Sequence, residues 1–295
     1  MKKKAVALML STVMAMGMVS AASVQASVED KTLIVGFDAE YPPFGYKDDN
    51  GDYVGFDLDL AQEVCDNLGW ELVKKPINWD SKDMELNSGT IDCIWNGFTI
   101  NGREDDYTWT DPYINNEQVI VVAKDSGIEK LADLKGKNVV VQAASAALDA
   151  LNNDDNKDLK DSFASLTENP DYNTAFMNID SGAADAVAVD IGVANYQLSQ
   201  RGKDKYVILD EPIQNEQYGI GFKKGNDELK DLVWAEVEKL DESGEVDKLA
   251  DKYELVKSML CISEDKEDAT DSDSAEADTE ESADSTEKEA DSESK

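Results

Sequence analysis

The sequence predicts an α/β protein built as two lobes, joined by a two-strand hinge with a cleft between them. Between residues 31 and 260, apolar strand-like runs alternate with amphipathic helix-like stretches. Two pairs of segments also echo each other at about a hundred residues' separation. MELNSGTIDCIW (84–95) matches AFMNIDSGAADAVAVD (175–190) in reading as short helix, Ser-Gly, Asp and apolar strand. NNEQVIVVAK (115–124) matches QNEQYGIGFKK (214–224), where Asn-Glu-Gln opens a strand both times. One small unit is therefore expected twice, with two extended crossings forming the hinge. The boundaries place lobe 1 at 27–114 and 216–260, and lobe 2 at 115–215.

Residues 1–26 carry three lysines, an apolar run of roughly 14 residues and a small-residue end at Val24-Gln25-Ala26. That is the pattern of a secretory signal, too short for the about 20 residues of a membrane crossing. It has no cysteine at the cleavage point, so an exported chain starting near Ser27 is expected. TLIVGF (32–37) reads as a buried strand. DLDLAQEVCDNLG (57–69) puts Leu60, Ala61, Val64, Cys65 and Leu68 on one helical face, with Gly69 as the stop. NDELKDLVWAEVEKL (226–240) puts Leu229, Leu232, Val233, Val237 and Leu240 on one stripe behind an Asn226 cap. Cys65 and Cys93 read as small core hydrophobes, with a disulfide between them as the alternative; Cys261 is left over.

The composition excludes several chemistries. With 41% hydrophobic residues the chain can build real cores, and with no histidine it cannot run Ser-His-Asp, Cys-His or histidine-zinc chemistry. Of the formal charge of −36, much sits in the segment 261–295, which from Glu264 holds 15 acids and three lysines. Lacking aromatics and apolar periodicity, that segment reads as a disordered solvated tail. Nucleic acid and anionic membrane are repelled by such a chain. No cofactor or metal is expected.

In open α/β sheets ligands lie beyond the carboxyl ends of the strands. Four apolar strands here end in polar or small residues: Asp38 after TLIVGF, Asn96-Gly97 after DCIW, Gln142-Ala143 after NVVV, and Asp190 after AVAV. The chain has only two arginines, and Arg103 lies just beyond the second of these ends, near Thr99. A guanidinium fork matches a carboxylate as lysine cannot, and such a charge-assisted pair contributes about 1.5–3 kcal/mol. Backbone N–H groups near Gly97 and the Thr99 hydroxyl would complete the carboxylate's bonds. Asp190, from the other lobe, would receive an ammonium, so the pair would clamp a zwitterion. The plainer alternatives are a surface ion pair of Arg103 with Glu104, Asp105 or Asp106, and a helix N-cap role for Asp190. Tyr41, Phe44 and Trp79 would then simply plug the core rim, and Trp95 and Trp109 read as core.

EYPPFGYKDDNGDYVGFDLDLAQEV (40–64), SGTIDCIWNGFTINGRE, TWTDPY (108–113), LADLKGKNVVVQ (131–142), ADAVAVD and QYGIGFKKGNDEL (217–229) together span nearly the whole globular region. Over 31–256 the chain resembles the extracytoplasmic solute-binding proteins of polar amino-acid ABC transporters, solute-binding protein family 3. The resemblance implies a periplasmic-binding-protein-like (type II) fold, hinge closure over one free amino acid, and delivery to a membrane ABC permease. It implies the ligand carboxylate at Arg103 with Gly97 and Thr99, and the ammonium at Asp190. Tyr41 and Trp79 match aromatics that flank the ligand side chain, and Asp38 matches a carboxylate facing its polar end. The expected ligand is a polar amino acid, with a cationic one as an option, and the protein is expected to act as a monomer in the periplasm or at the cell surface. Two departures stand out. Thr99 and Arg103 are one residue closer than in the T-I-T-x-x-R pattern. The second-lobe turn reads QAASAAL instead of being rich in Gly and Thr, leaving Gln142 and Ser145 as its polar side chains, with the N–H groups of the following helix as substitutes. An enzyme on the same scaffold, using Asp38, Glu40 or Asp190 as acid or base, and a sensor module are the alternatives from other classes.

Overall fold

The apolar runs that open and close each half are paired strands of two sheets in the computed structural model, which describes residues 30–262. The chain begins with β1 (Thr32–Phe37), β2 (Glu40–Tyr41), β3 (Gly45–Lys47), β4 (Tyr53–Val54), helix α1 (Phe56–Leu68) and β5 (Glu71–Pro76). Helix α2 (Lys82–Ser88), β6 (Cys93–Ile94) and β7 (Tyr107–Trp109) follow. It then crosses into β8 (Ile114–Ala123), β9 (Asn138–Gln142), α3 (Ala146–Asn152), α4 (Lys157–Asp161), β10 (Ser165–Asn169) and α5 (Tyr172–Asp180). After β11 (Ala186–Asp190), α6 (Ile191–Arg201), β12 (Tyr206–Ile208) and β13 (Gln214–Tyr218) it returns through β14 (Gly221–Lys223), α7 (Asp227–Glu242) and α8 (Glu245–Lys252).

The two sheets repeat one plan. The first has the order β5-β1-β6-β14-β7, with β5, β1 and β6 parallel and β14 antiparallel to both its neighbours. The second runs β10-β9-β11-β8-β12, with β10, β9 and β11 parallel and β8 antiparallel. In each, three parallel strands are followed by one strand arriving from a crossing. This is the physical content of the sequence echo. β11 is buried along its whole length, Val187 and Val189 facing one hydrophobic cluster and Ala186 and Ala188 the other, as a strand covered on both faces requires. Full burial of each such valine stabilises the fold by about 1.5–3 kcal/mol.

The second echo differs from the single strand expected at 214–224. β13 pairs with β8 through Gln214↔Gln118 to Tyr218↔Ile114, and the chain then breaks at Gly219-Ile220 before β14 enters the first sheet. The break falls where a side chain at Gly219 or Gly221 would strike Ile100 or Phe98. A third piece of chain braces the crossing: Leu260 bridges to Ile114, and Cys261 N–H donates to the Tyr113 carbonyl. Cys261 and Ile262 are buried, so packed chain continues through 262. The leader at 1–26 and the rest of the acidic tail lie outside the described residues.

Helix α1 buries Leu60, Ala61, Val64 and Cys65 and ends on Gly69 at φ 67°, the left-handed cap the sequence marks. Two helix details depart from expectation. Asn226 sits at the start of α7 without a side-chain capping bond, its Oδ1 buried and unpartnered, and Leu232 is 37% exposed while Trp234 takes the buried place. Cys65, Cys93 and Cys261 are all buried, and the Cys65–Cys93 disulfide is not formed.

Gly55 opens α1 at φ 142°, and a Cβ there would lie 2.2 Å from the Phe44 carbonyl oxygen. Gly55→Ala should therefore destabilise the fold by about 2 kcal/mol or more, read as a lower urea midpoint with an unchanged slope.

Candidate functional site

The strand ends named above converge. Tyr41, Trp79, Asn96, Gly97, Thr99, Arg103, Gln142, Ser145 and Asp190, joined by Ala146, line one small cavity between the two sheets' carboxyl ends. Asp38 lies just outside it. Its N–H donates to Asn96 Oδ1 at 2.8 Å, and its Oδ2 accepts from Gln142 Nε2 at 2.6 Å. That last bond ties the loop after β1 to the end of β9, one sheet to the other. Burial pushes the Asp38 carboxyl up to about 6 against the hydrogen bonds it accepts from Glu40 N–H and Gln142 Nε2.

Each predicted contact has a local cause. Gly97 holds φ 56°, and a Cβ there would press on the Tyr41 and Tyr218 rings at 3.0 Å. Its N–H is already engaged, donating to Asp57 Oδ2 at 2.6 Å, which departs from the expected carboxylate donor. Thr99 donates its hydroxyl to Glu216 Oε1 at 3.0 Å. Ser145 caps α3, accepting from Leu148 N–H, and donates to the Gln142 carbonyl. Trp79 donates Nε1–H to the carbonyl of Ala144 at 3.2 Å, across the cleft. Ala144 itself sits at φ 54°, in the turn that lacks the glycine the family pattern carries. A left-handed alanine costs roughly 1–2 kcal/mol.

Arg103 makes none of the pairs with Glu104, Asp105 or Asp106 that spacing allowed. Its Nη2 lies 2.6 Å from Asp149 Oδ2 on α3, its Nη1 reaches the Thr99 carbonyl at 3.4 Å, and its guanidinium stacks 5.4 Å above Phe98. Its side chain is only 11% exposed. Lys82, 5% exposed, stands over the Trp79 ring, and burial and then the Arg103 charge hold it below the ordinary lysine value.

Asp190 starts α6 but makes no capping bond, which removes the N-cap reading of its side chain. Instead its Oδ1 accepts from Gln118 Nε2 at 2.6 Å, Asn116 Nδ2 at 3.0 Å and the Tyr218 hydroxyl at 2.5 Å. The same two amide nitrogens also donate to Glu216 Oε1, at 2.7 and 2.9 Å. Burial, and after it the charge of Asp190, pushes the Glu216 carboxyl up to about 7. Neither carboxylate forms an ion pair among the described residues. Tyr41 packs against Tyr172 and Phe44, and both it and Phe44 are buried. Trp95 is fully buried and Trp109 half-buried against Phe98.

Sequence reasoning missed Glu216, Asn116, Gln118, Asp57, Tyr172, Tyr218, Asp149 and Lys82. A signal existed for the first three. In NNEQ and QNEQ, period-two alternation across an antiparallel pair puts Asn116 and Gln118 on one face with Glu216. Asp149 reads only as a helix-surface acid, and Asp57 only as a first-turn acid of α1. Among the described residues no group of three His, Cys, Asp or Glu side chains is arranged to hold a metal, and no helix is long and apolar enough to cross a membrane.

The chain matches the family model for bacterial extracellular solute-binding proteins, family 3, over residues 33–256. It is 29% identical to the L-cystine-binding protein TcyJ of Escherichia coli (strain K12) over 257 residues, covering 83% of this chain and 94% of that one. It is 31% identical to the arginine-binding extracellular protein ArtP of Bacillus subtilis (strain 168) over 226 residues, covering 76% and 86%. An ABC uptake transporter substrate-binding protein from Streptococcus pneumoniae, solved with bound histidine, superposes with a TM-score of 0.76 at 29% identity, covering 80% and 97%. The two-lobed type II periplasmic-binding-protein fold is thus shared with solved structures.

Asp57 is fully buried, its Oδ2 held by Gly97 N–H and the Tyr113 hydroxyl and its Oδ1 unpartnered, and burial pushes its carboxyl up to about 7. Asp38 and Asp57 keep a proton in the folded state at pH values where the unfolded chain, with ordinary carboxyls, has released it. Folding therefore takes up protons, and stability falls as pH rises from about 4 through 7. The thermal midpoint should be higher at pH 5 than at pH 7.5. Asp57→Asn, which mimics the protonated group, should flatten that slope and hold the pH 7.5 midpoint at or above wild type.

Proposed function

The chain belongs to family 3 of the bacterial extracellular solute-binding proteins, and from that premise we propose that its cleft captures one free amino acid by closing around it. The observation that carries this reading is that Arg103, beyond the first sheet, and Asp190, ending β11 of the second, line the same cavity. Arg103 takes the ligand carboxylate by exchanging Asp149 for it, since Gly97 N–H and the Thr99 hydroxyl are engaged elsewhere. Asp190 takes the ammonium. Ligand that bridges both lobes stabilises the closed form over the open one, and the shift is limited to the difference in its affinity for the two. Arg103→Ala should weaken binding by about 2–5 kcal/mol, roughly 30-fold to several thousandfold, measured by calorimetry.

The side chain we assign is one ending in a cation. An adjoining cavity beyond Trp79 is lined by Asp38, Glu40, Asp80 and Asp171, with no lysine or arginine among its walls. Burial and Asp171 raise Glu40 as well as Asp38, so a cation there would relieve repulsion. The arginine named for one relative ends in a cation, and the cystine named for the other carries an ammonium beside a carboxylate at its far end. A thermal-shift screen of the twenty amino acids with ornithine and cystine tests the class, because ligand raises the midpoint with concentration. Asp38→Asn should cost L-arginine about tenfold in affinity and leave L-glutamine within threefold.

The protein acts in this reading as a monomeric binder outside the cytoplasm, exported by its leader, and hands its ligand to an ABC permease. It is not read as an enzyme. Unchanged ligand mass after prolonged incubation is the expected result, and a new product mass would reverse that part of the reading.

A further inference from the structure

Glu216 has no part in the zwitterion clamp, yet it is bound into it. Asp190 Oδ1 and Glu216 Oε1 each accept three donations, and two of the three donors are the same amide groups, Asn116 Nδ2 and Gln118 Nε2. An amide NH2 has two hydrogens, so each amide gives one to each carboxylate and has nothing left over. The third donors are Tyr218 on one side and Thr99 on the other. The remaining oxygens are far less served. Glu216 Oε2 accepts only from Gln214 Nε2 at 3.1 Å, and Asp190 Oδ2 has the Tyr172 hydroxyl at 3.5 Å. The titratable groups facing Glu216 are Asp190 from the end of β11, Tyr172 from α5, Tyr218 from its own strand and, on the cavity beside it, Glu117 from β8; none is a cation.

Two carboxylates sharing one set of donors in a buried site do not both ionise without a counter-charge. Either a proton or a cation must be present. We propose that Glu216 is a positioning residue of the ammonium subsite, holding a proton while the subsite is free of a cation and surrendering it when a ligand ammonium docks on Asp190. This rests on the amino-acid reading above. The O–H bond of Glu216 breaks, its electron pair stays on the carboxylate, and the proton passes to water. A separate cavity lined by Glu216 with Asn101, Glu117 and Gln217 offers that proton a route that does not cross the ligand cavity. Burial and then the Asp190 charge push the Glu216 carboxyl upward, the direction that a nearby positive charge would reverse. Because coupling is reciprocal, a proton on Glu216 weakens the ligand as much as the ligand weakens the proton.

The test is calorimetric titration of wild type and Glu216→Gln with L-arginine, L-glutamine and L-cystine from pH 5.5 to 8. Glutamine at 216 keeps the acceptor oxygen toward Thr99 and the amides but fixes the site in its neutral form. The two proteins should bind alike at pH 5.5, and wild type should bind about tenfold tighter at pH 8, a coupling on the order of one pKa unit. Titration of Asp38 affects both proteins equally and cancels in the ratio. A ratio that stays within twofold across the range overturns the inference while leaving the ligand reading intact. If none of the three titrants binds wild type at pH 8, the ligand reading falls and this inference falls with it. Should the variant fail to fold, L-arginine binding to Asp38→Asn in two buffers of different ionisation heat gives the proton count. Release of on the order of half a proton at pH 6.5 is expected, and none released overturns the inference.

Discussion

Two acids held against each other away from water set the terms for the rest of this molecule. Asp190 and Glu216 are both nearly inaccessible, and no lysine or arginine among the described residues pairs with either. Burying a charge costs several kcal/mol unless it is well satisfied, so the surrounding chain supplies donors instead. That explains an otherwise odd composition at the crossing. The strands at the crossing are spelled NNEQ and QNEQ, and Asn116, Gln118, Gln214 and Tyr218 deliver amides and a hydroxyl to the acids. An apolar version of the ribbon would hold the lobes together at least as well. The polar version makes the junction responsive to charge.

The bonds across the cleft follow the same logic at smaller scale. Gln142 on Asp38, Trp79 on the Ala144 carbonyl and Arg103 on Asp149 each span the two halves, and Tyr46 meets Tyr196 near the far edge. Hydrogen bonds of this kind contribute about 0.5–1.5 kcal/mol each net of water, and Asp149 is largely exposed, so its pair is weaker than its length suggests. Apolar contacts also cross, with Tyr41 packed on Tyr172 and the Phe44 ring close against Gly192. A small ligand with two full charges is able to decide such a balance.

Much of this was legible in the residues alone, because the fold is written in periodicity and in repetition. The runs TLIVGF and AVAVD, the Gly69 stop and the paired helix–Ser-Gly–strand segments all declare themselves locally. That the strand-end residues meet at one cavity was legible for a topological reason: parallel strands of one sheet point their carboxyl ends the same way. Partners were not legible. Which acid meets Arg103 depends on where α3 lies when the halves meet, and nothing in ALDALN distinguishes Asp149 from any other surface acid. Gly97 lines the cavity, but its N–H belongs to Asp57, forty residues earlier in the chain. Leu232 followed the stripe and still faces solvent, because Trp234 fills the space.

The way the sheets share strands also bears on the order in which the molecule is completed as it is made. β7 has no neighbour in its sheet except β14, and β14 is spelled more than a hundred residues later. All the strands of the second sheet, by contrast, lie between Ile114 and Tyr218. In a chain that emerges amino terminus first, the inserted half is complete while the half that brackets it still waits for its central antiparallel strand and for α7. The later-numbered sheet is free to set first, and the earlier one is finished around it.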